Sequence, residues 1–403
     1  MPEILPETYT RKPDLLIAGG GLAGLSLGIQ VARAGFRVVL AEKEAYPFHR
    51  VCGEYISMES WDFLEQLGVP LTHMQLPKIR HLTVTAPNGV ALEHSLPLGG
   101  FGVSRFTLDM LMAGIAREAG VEVLEKTKVK DIHFTDGSSA KLPDTYKRNR
   151  TPGQGSFDIQ TSAGDFQSRA VAGTFGKRSN LDIRWRRSFA MEKAGPLVNY
   201  IGVKYHISGD YPKDRIYLHN FPDGYCGMSA VEGDEYCLCY LTTAENLRNS
   251  GQQIPQMEST ILAKNPRLRE LFSSARFLWP EPVAISQISF AHKELIRQHV
   301  LFCGDAAGMI TPLCGNGMSM ALHGSKLLAT ELIRFLEGGQ DRIAFEKNYR
   351  KQWEKTFSAR LRTGRWIQSL FGKSTATNLF IGAMKPFPSL VDHLIRQTHG
   401  RPF

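Results

Sequence analysis

The sequence lacks the features that mark several specialised classes of protein. Its 403 residues include six cysteines, too few for a disulfide scaffold. It contains no C-x-x-C pair and no H-E-x-x-H motif, so we expect no structural metal site. Cys237 and Cys239 are two residues apart and would share one face of a strand. Most of the cysteines are therefore interpreted as buried free thiols.

Long apolar runs are also missing. No segment approaches the roughly 20 apolar residues that a membrane-spanning helix needs. Residues 1–14 carry prolines and charged residues where a signal peptide would be apolar, so we expect a cytoplasmic protein. The net charge of +9 favours acidic partners or an anionic membrane surface. No nucleic-acid-binding motif occurs, so we expect no nucleic-acid partner.

The most specific segment near the N terminus is rich in glycine. An apolar run at 15–18 predicts a buried strand, and residues 22–34 have the apolar spacing of a helix. Between them, Gly19, Gly21 and Gly24 follow the G-x-G-x-x-G spacing. Gly19 would permit a tight turn, Gly21 would let a pyrophosphate approach, and Gly24 would let the helix pack on the strand. The free N–H groups of the helix start would bind the phosphates.

An acidic residue completes this motif. A second apolar strand is predicted at 36–41, and it leads directly to Glu42. A carboxylate at this point can accept hydrogen bonds from ribose hydroxyls. The segment therefore predicts a dinucleotide-binding unit, and by itself it fits either NAD or FAD.

Three further segments decide between the two dinucleotides. Residues 50–54 read RVCGE, Arg105 begins an R-x-x-x-D-x-L pattern, and a predicted strand at 299–303 leads into Gly304 and Asp305. With the glycine motif, they make the chain resemble FAD-dependent oxidoreductases of the p-hydroxybenzoate hydroxylase fold. That superfamily includes aromatic monooxygenases, flavin halogenases and geranylgeranyl reductases.

The resemblance implies a mixed α/β (α+β) fold. A Rossmann-like FAD-binding domain would combine residues 1–187 and 285–340. An antiparallel sheet over 188–284 would bind the substrate, and 341–403 would form a C-terminal helical segment.

The resemblance also implies how FAD is held. The Arg105 cation would pair with the pyrophosphate, and the Asp305 carboxylate would accept hydrogen bonds from ribityl hydroxyls. The predicted helix start at 315–318 would direct N–H groups at the pyrimidine edge of the flavin, where negative charge collects on reduction. The residues expected to contact FAD are Gly19, Gly21, Leu22, Ala23, Gly24, Glu42, Lys43, Arg50, Arg105, Val129, Gly304, Asp305, Gly315, Asn316, Gly317 and Met318.

One motif departs from the superfamily pattern. Its members usually carry an Asp-Gly pair near the middle of the chain, whereas here Phe175 stands at the position of the aspartate. That motif contacts FAD and, in hydroxylases, the nicotinamide donor. NAD(P)H is therefore an expected electron donor whose binding could differ, be weak, or be replaced by another carrier.

The middle of the chain alternates apolar and polar residues in short runs, which predicts an antiparallel sheet over a pocket. Aromatic residues in this region would either line an apolar cavity or fill the sheet core. These residues are Tyr217, Phe221, Tyr225, Tyr236 and Tyr240. His219 stands where the geranylgeranyl reductases carry an aromatic residue, and the tryptophan box of the halogenases is missing.

After Gly338 the chain becomes helical and basic. Aromatic and aliphatic residues recur every four positions, forming one stripe of a helix. They are Phe345, Tyr349, Trp353, Phe357 and Leu361. The stripe would either dock on the FAD domain or, with its basic neighbours, touch an anionic bilayer. The oligomeric state is left open.

Three functions remain. The first is a flavin monooxygenase that hydroxylates a hydrophobic or aromatic substrate. The alternative is a reductase of C=C bonds in an isoprenoid or polyene lipid, with Cys52 as a candidate proton donor. The third is a non-enzymatic carrier of prenylated partners, against which the Gly304–Asp305 pair argues. The sequence leaves the roles of Cys52 and Cys314 open.

Overall fold

The computed structural model describes residues 12–136, 155–192, 199–370 and 373–403. Its strands are β1 (Leu15–Ala18), β2 (Val38–Ala41), β3 (Tyr55–Ser57), β4 (Lys78–Thr85), β5 (Ala91–Gly102), β6 (Glu122–Leu124), β7 (Val129–Thr135), β8 (Ser156–Thr161), β9 (Gly164–Ser168), β10 (Ala170–Gly173), β11 (Tyr200–Ser208), β12 (Arg215–Phe221), β13 (Gly224–Ala230), β14 (Glu235–Thr243), β15 (Arg276–Phe277), β16 (Val283–Ile288), β17 (Ile296–Arg297) and β18 (Val300–Phe302). Its helices are α1 (Leu22–Arg33), α2 (Trp61–Gln66), α3 (Arg105–Glu118), α4 (Asn180–Arg184), α5 (Ser188–Met191), α6 (Ala244–Asn249), α7 (Ile254–Thr260), α8 (Pro266–Ser274), α9 (Gly317–Leu336), α10 (Arg342–Leu370), α11 (Ser374–Met384) and α12 (Pro388–Thr398).

A largely parallel sheet carries the glycine motif. Its strand order is β17-β18-β10-β1-β2-β6, and β1 lies between β2 and β10 with Leu15 opposite Val38 and Ala170. The central strands are apolar and buried along their whole length, as expected when helices cover both faces of a parallel sheet. Helix α1 packs against both α3 and α9. The strand order confirms the predicted Rossmann-like architecture.

A second, mostly antiparallel sheet lies beside the first. Its order is β15-β11-β14-β13-β12-β4-β5-β3, and β16 also pairs with β11, along the same edge as β15. The sequence predicts strands at 198–207, 215–221, 225–231 and 236–242, and β11, β12, β13 and β14 of this sheet lie there, apart from residue 198, which is outside the described residues. Strands β3, β4 and β5 also join it, although they come from residues 55–102. A smaller sheet, β7-β8-β9, completes the strands of the described chain. The predicted domain limits stay a prediction.

The C-terminal helices pack against the rest of the protein through α10. The five predicted stripe residues of α10 are all buried, and α10 packs against α9. The exposed fraction of the stripe residue Trp353 is 7%, and Phe345, Tyr349 and Phe357 are inaccessible to solvent. The stripe therefore packs against α9 and the parallel sheet, as one of the two interpretations predicted. Among the described helices, none is both long and apolar enough to cross a membrane.

Candidate functional site

The turn between β1 and α1 leaves an open surface at the start of the helix. A Cβ atom on Gly24 would lie 2.1 Å from the carbonyl oxygen of Gly19, so this position permits close packing of helix and strand. A Cβ on Gly21 would meet only the Arg105 guanidinium, at 3.7 Å. Gly21 therefore presents bare backbone to the cavity beside a cation, which suits a pyrophosphate.

The end of β2 is held by a buried polar network. The Glu42 carboxylate accepts the Gly20 N–H at 2.7 Å and pairs with Arg50 at 3.0 Å. Tyr46 donates its hydroxyl hydrogen to the Gly20 carbonyl at 2.5 Å. Lys43 is largely exposed and lies 3.6 Å from Glu44. Glu42 and Arg50 thus brace the glycine turn, and the proposed contact of Glu42 with ribose stays a prediction.

Arg105 begins α3 and reaches the same cavity. Its Nε and Nη2 atoms each donate to the Asp109 carboxylate at 2.7 Å, the bidentate geometry of a strong charged pair. Burial alone would lower the pKa of Arg105, but Asp109 raises it above its usual value. Arg50 donates to the same carboxylate at 3.0 Å. The R-x-x-x-D spacing therefore fixes the orientation of the Arg105 cation.

Gly304 and Asp305 follow β18 as a short 3-10 turn. Lys293 donates to the Asp305 carbonyl at 2.7 Å and to the Lys177 carbonyl at 3.2 Å. Burial lowers the pKa of Lys293 to about 8. Helix α9 begins at Gly317, within the predicted 315–318 start, because Gly315 has a left-handed backbone (φ +62°) that ends the preceding 3-10 turn.

These segments surround one cavity, of about 1280 Å³ when the solvent-filled space at its mouth is included. The predicted contact residues that line it are Gly21, Leu22, Ala23, Arg105, Gly304, Asp305, Gly315, Asn316, Gly317 and Met318, and the candidate proton donor Cys52 lines it too. The others do not line it: Gly19, Gly24, Glu42, Lys43, Arg50 and Val129. Val129 instead begins β7, where its carbonyl accepts a hydrogen bond from Asn180 at 3.4 Å. The roles of these six residues stay predictions.

The opposite wall of the cavity comes from the second sheet. It is mainly apolar and includes Leu218, Met228, Leu241 and Ile288. Of the five aromatic residues considered from the sequence, Tyr225 and Tyr240 line the cavity. The remaining three do not line it: Phe221 and Tyr236 are buried in the sheet core, and Tyr217 is half-buried. Both interpretations of these aromatic residues therefore hold, for different members of the set.

A buried ionic cluster braces the cavity wall at Glu54. One carboxylate oxygen accepts the Arg105 backbone N–H at 2.7 Å and pairs with Lys204, and the other lies 2.7 Å from His206 Nε2. The second ring nitrogen of His206 lies 3.0 Å from Glu235, whose side chain is 47% exposed. Burial would raise the pKa of Glu54, but Lys204 and His206 outweigh it and lower the pKa to about 2. Glu54 is therefore an anion at neutral pH.

Sequence reasoning identified Glu54 only as part of the CGE segment and missed both Lys204 and His206. Their signal is the polar pair at alternate positions of the otherwise apolar strand β11, which places both side chains on one face. Glu54, His206 and Cys237 also place three potential metal ligands within 4.8 Å. The Lys204 ammonium shares the Glu54 carboxylate, so its charge opposes a cation there.

The thiols lie around the same wall. Cys52 is half-buried and lines the cavity, as does Cys239 on β14. Cys237 donates its thiol hydrogen to the Cys52 carbonyl at 3.1 Å. Burial raises the pKa of Cys239 to about 12, so this thiol stays protonated. The side chain of Cys314 lies outside the part of the chain that the structure describes.

Phe175 occupies the position where the superfamily has an aspartate. Its half-buried ring lies 5.9 Å from the ring of Phe302, centroid to centroid. The neighbouring Thr174 donates its hydroxyl hydrogen to the Gly19 carbonyl at 2.5 Å. An apolar contact therefore replaces a carboxylate beside the glycine turn.

The residues around the cavity fit FAD. Gly21 supplies a surface without a side chain, Arg105 supplies a buried cation for a pyrophosphate, and Asp305 supplies a carboxylate for hydroxyl groups. The start of α9 faces the same space and contributes N–H groups and a positive dipole end.

Comparison with known proteins agrees with this fit. A family model described as an FAD binding domain matches residues 12–352. The chain is 23% identical over 373 residues to conditioned medium factor receptor 1 of Dictyostelium discoideum, covering 85% of this chain and 68% of the relative. It is also 23% identical over 364 residues to digeranylgeranylglycerophospholipid reductase 2 of Methanothermobacter thermautotrophicus, covering 87% and 85% of the two chains.

The fold is shared with a solved flavoenzyme. The structure of the flavin-dependent brominase Bmp2 superposes with a TM-score of 0.74 at 18% identity, covering 96% of this chain and 93% of the other. Because the family model spans most of the sequence, it confirms FAD as the cofactor and the predicted enzyme class. The chain belongs to the FAD binding domain family and is an FAD-dependent oxidoreductase.

Proposed function

We propose that this chain is a flavin monooxygenase that hydroxylates a hydrophobic or aromatic substrate. The observation that carries the proposal is the continuity of the cavity. Its floor is the cradle of Gly21, Arg105 and Asp305, and its opposite wall is the apolar face of β12 and β13. A substrate on that wall would therefore lie beside the flavin with no protein layer between them.

The chain's own contribution is to bind, orient and shield. Bound FAD supplies the redox chemistry by taking electrons from a donor and activating molecular oxygen. Leu218, Met228 and Ile288 offer apolar surface that removes water from the substrate. The N-terminal end of α9 stabilises negative charge on the cofactor through its dipole.

NAD(P)H is proposed as the electron donor, with another carrier as the alternative. Phe175 stands at the position where members of the resembled superfamily carry an aspartate that contacts the nicotinamide donor. We therefore expect slow reduction of the flavin by NADH and NADPH. Stopped-flow absorbance with each nucleotide measures these rates. Reduction by either at the rate of a typical flavin hydroxylase would show that the apolar ring leaves the donor site intact.

An anaerobic experiment tests the reaction type. The FAD-loaded protein is photoreduced, and an apolar aromatic substrate is added first without and then with oxygen. A monooxygenase reoxidises and forms hydroxylated product only after oxygen is added. Reoxidation by the substrate alone would exclude this proposal. Protein that cannot be loaded with FAD would exclude any flavoenzyme.

A specific observation favours a second candidate, reduction of a C=C bond in an isoprenoid or polyene lipid. Such a reaction needs a proton at carbon in addition to the hydride, and the Cys52 and Cys239 thiols both line the cavity. Reduction of a polyene without oxygen, with loss of rate in Cys52→Ala, would establish this candidate.

Contact with a membrane also belongs to the proposal. The apolar stripe of α10 is buried and unavailable to a bilayer, but other apolar side chains on the C-terminal helices are exposed. Leu379 is 75% exposed, Phe387 58% and Trp366 49%. Sedimentation with vesicles of anionic and of neutral lipid measures membrane binding. Failure of the protein to sediment with either kind of vesicle would exclude the proposed contact.

A further inference from the structure

Two more cavities extend from the flavin cavity toward the C terminus. The first has a volume of about 900 Å³ and lies between the second sheet and helices α11 and α12. It shares Tyr55, Ile216, Leu218 and Gly315 with the flavin cavity. The two cavities are therefore adjacent, and they share part of their walls.

This neighbouring cavity is apolar on both sides. The sheet contributes residues such as Val84 and Leu92, and the helices contribute residues such as Ile381, Met384 and Val391. Such a lining offers an extended aliphatic chain a favourable transfer from water along its whole length. It offers little to a compact polar ligand.

The second of these two cavities has a volume of about 1030 Å³ and is lined in part by charged side chains. It shares Leu96, Ile395 and His399 with the apolar cavity, and Tyr55 lies in the walls of all three. Three arginines line it: Arg360, Arg396 and Arg401.

Positive charge dominates this outer cavity. Arg360 is nearly buried and lies 3.6 Å from Glu59, and its Nη1 atom has no hydrogen-bond partner among the described residues. Arg396 and Arg401 are exposed, and no ion pair holds them within the described ranges. Glu59 pairs with Arg360, and the residues that line the cavity include three arginines and no carboxylate, which leaves the cavity suited to an anion.

We infer that the substrate is a long aliphatic molecule with an acidic end group. The arginines bind the carboxylate or phosphate at the outer cavity, the aliphatic chain runs through the apolar cavity, and the far end reaches the flavin. The inference rests on the proposed function, because it names the substrate class of that same site. It applies equally to hydroxylation and to C=C reduction.

Binding of three probes of equal chain length tests the inference. Dodecanoate, dodecyl phosphate and dodecanol are titrated into the FAD-loaded protein below their micelle concentrations, with heat of binding as the readout. We expect the acidic probes to bind more tightly than the alcohol by roughly fivefold or more. A preference between the two acids identifies the end group as carboxylate or phosphate.

Variants separate the two parts of the path. The double variant Arg396→Gln/Arg401→Gln should remove the tighter binding of the two acids and leave the affinity for dodecanol unchanged. Arg248→Gln is the matched control, because Arg248 is an exposed residue of α6. Ile381→Trp, which fills the apolar cavity, should weaken all three probes. Equal binding of acid and alcohol would overturn the anion site, and binding that Ile381→Trp does not weaken would overturn the path. Flavin absorbance reports FAD loading separately, so a failure of the proposed function is distinguishable.

Discussion

Replacement of Glu54 by glutamine tests the ionic cluster in the cavity wall. The substitution keeps the size of the side chain at a position with left-handed backbone (φ +55°), removes the charge and exchanges one acceptor oxygen for an NH2 donor. Lys204, whose side chain is fully buried, would then lack its counter-ion. Breaking a buried pair by removing one partner costs about 3–5 kcal/mol. For a chain of this length, that corresponds to a melting temperature lower by roughly 4–6 °C.

Thermal melts followed by circular dichroism at fixed FAD concentration measure the effect, since ligand concentration also shifts the melting temperature. The double variant Glu54→Gln/Lys204→Met removes both charges, so it should recover most of the loss. Asp234→Asn is the matched control, because its ion pair with Lys213 is exposed and the melting temperature should stay within about a degree. A wild-type melting temperature in Glu54→Gln at pH 7 would refute the reasoning.

The same pair has a defined pH dependence. The folded protein holds the pKa of Glu54 at about 2, below its usual value of 4.5, so its contribution is present above about pH 4.5. The contribution is lost as the pH falls through about 2, where the folded protein takes up the proton. The difference in melting temperature between wild type and Glu54→Gln should therefore begin to shrink near pH 4.5 and keep shrinking toward pH 2.

Three further predictions concern the FAD end of the site and the electron donor. Gly21→Ala should weaken FAD binding about tenfold or more, as measured by flavin titration. It should leave the melting temperature of the FAD-free protein unchanged, because the new Cβ meets only Arg105, at 3.7 Å. Gly114→Ala on α3 is the control, since a Cβ there has open space. In the wild type, stability should rise between pH 8 and 10, because the pKa of Lys293 is about 8 in the folded protein and the unfolded chain holds the proton to higher pH. Lys293→Met should abolish this rise. Thermal melts across that pH range measure the rise, and a pH profile unchanged by the substitution would contradict the prediction. Phe175→Asp should alter the rate of flavin reduction by NAD(P)H in stopped-flow measurements without preventing FAD binding, and an unchanged rate would place the donor elsewhere.

The parts of the fold that were predicted are those with a local pattern. The strand at 15–18 has the predicted limits, and α1 ends one residue before the predicted limit. The strand after α1 begins at Val38 rather than residue 36, because the Arg37 N–H is already bonded to the Asp14 side chain before the ladder starts. Periodicity identifies the element, whereas contacts with distant residues set its ends.

The parts that were missed depend on long-range pairing. Glu54 and Lys204 are separated by 150 positions, and neither residue alone has a motif. The joining of β4 to β12 as parallel neighbours could not be read from alternation, which predicts a strand but not its partner. The aliphatic path likewise combines the second sheet with α11 and α12. A spacing rule can report the glycine turn between β1 and α1 because that turn is one continuous segment.

The distribution of charge links the two ends of the path. From the net charge of +9, the sequence predicted acidic partners or an anionic surface. Arg105 and Lys177 line the flavin cavity, and three arginines line the outer cavity, with an apolar space between. FAD carries a pyrophosphate, so one acidic partner of this chain is its own cofactor. A substrate with an acidic end group and an aliphatic chain would pair its acid with the arginines of the outer cavity and fill the apolar cavity with its chain. A small uncharged phenol would do neither. The difference between dodecanoate and dodecanol therefore measures whether the outer arginines select the substrate.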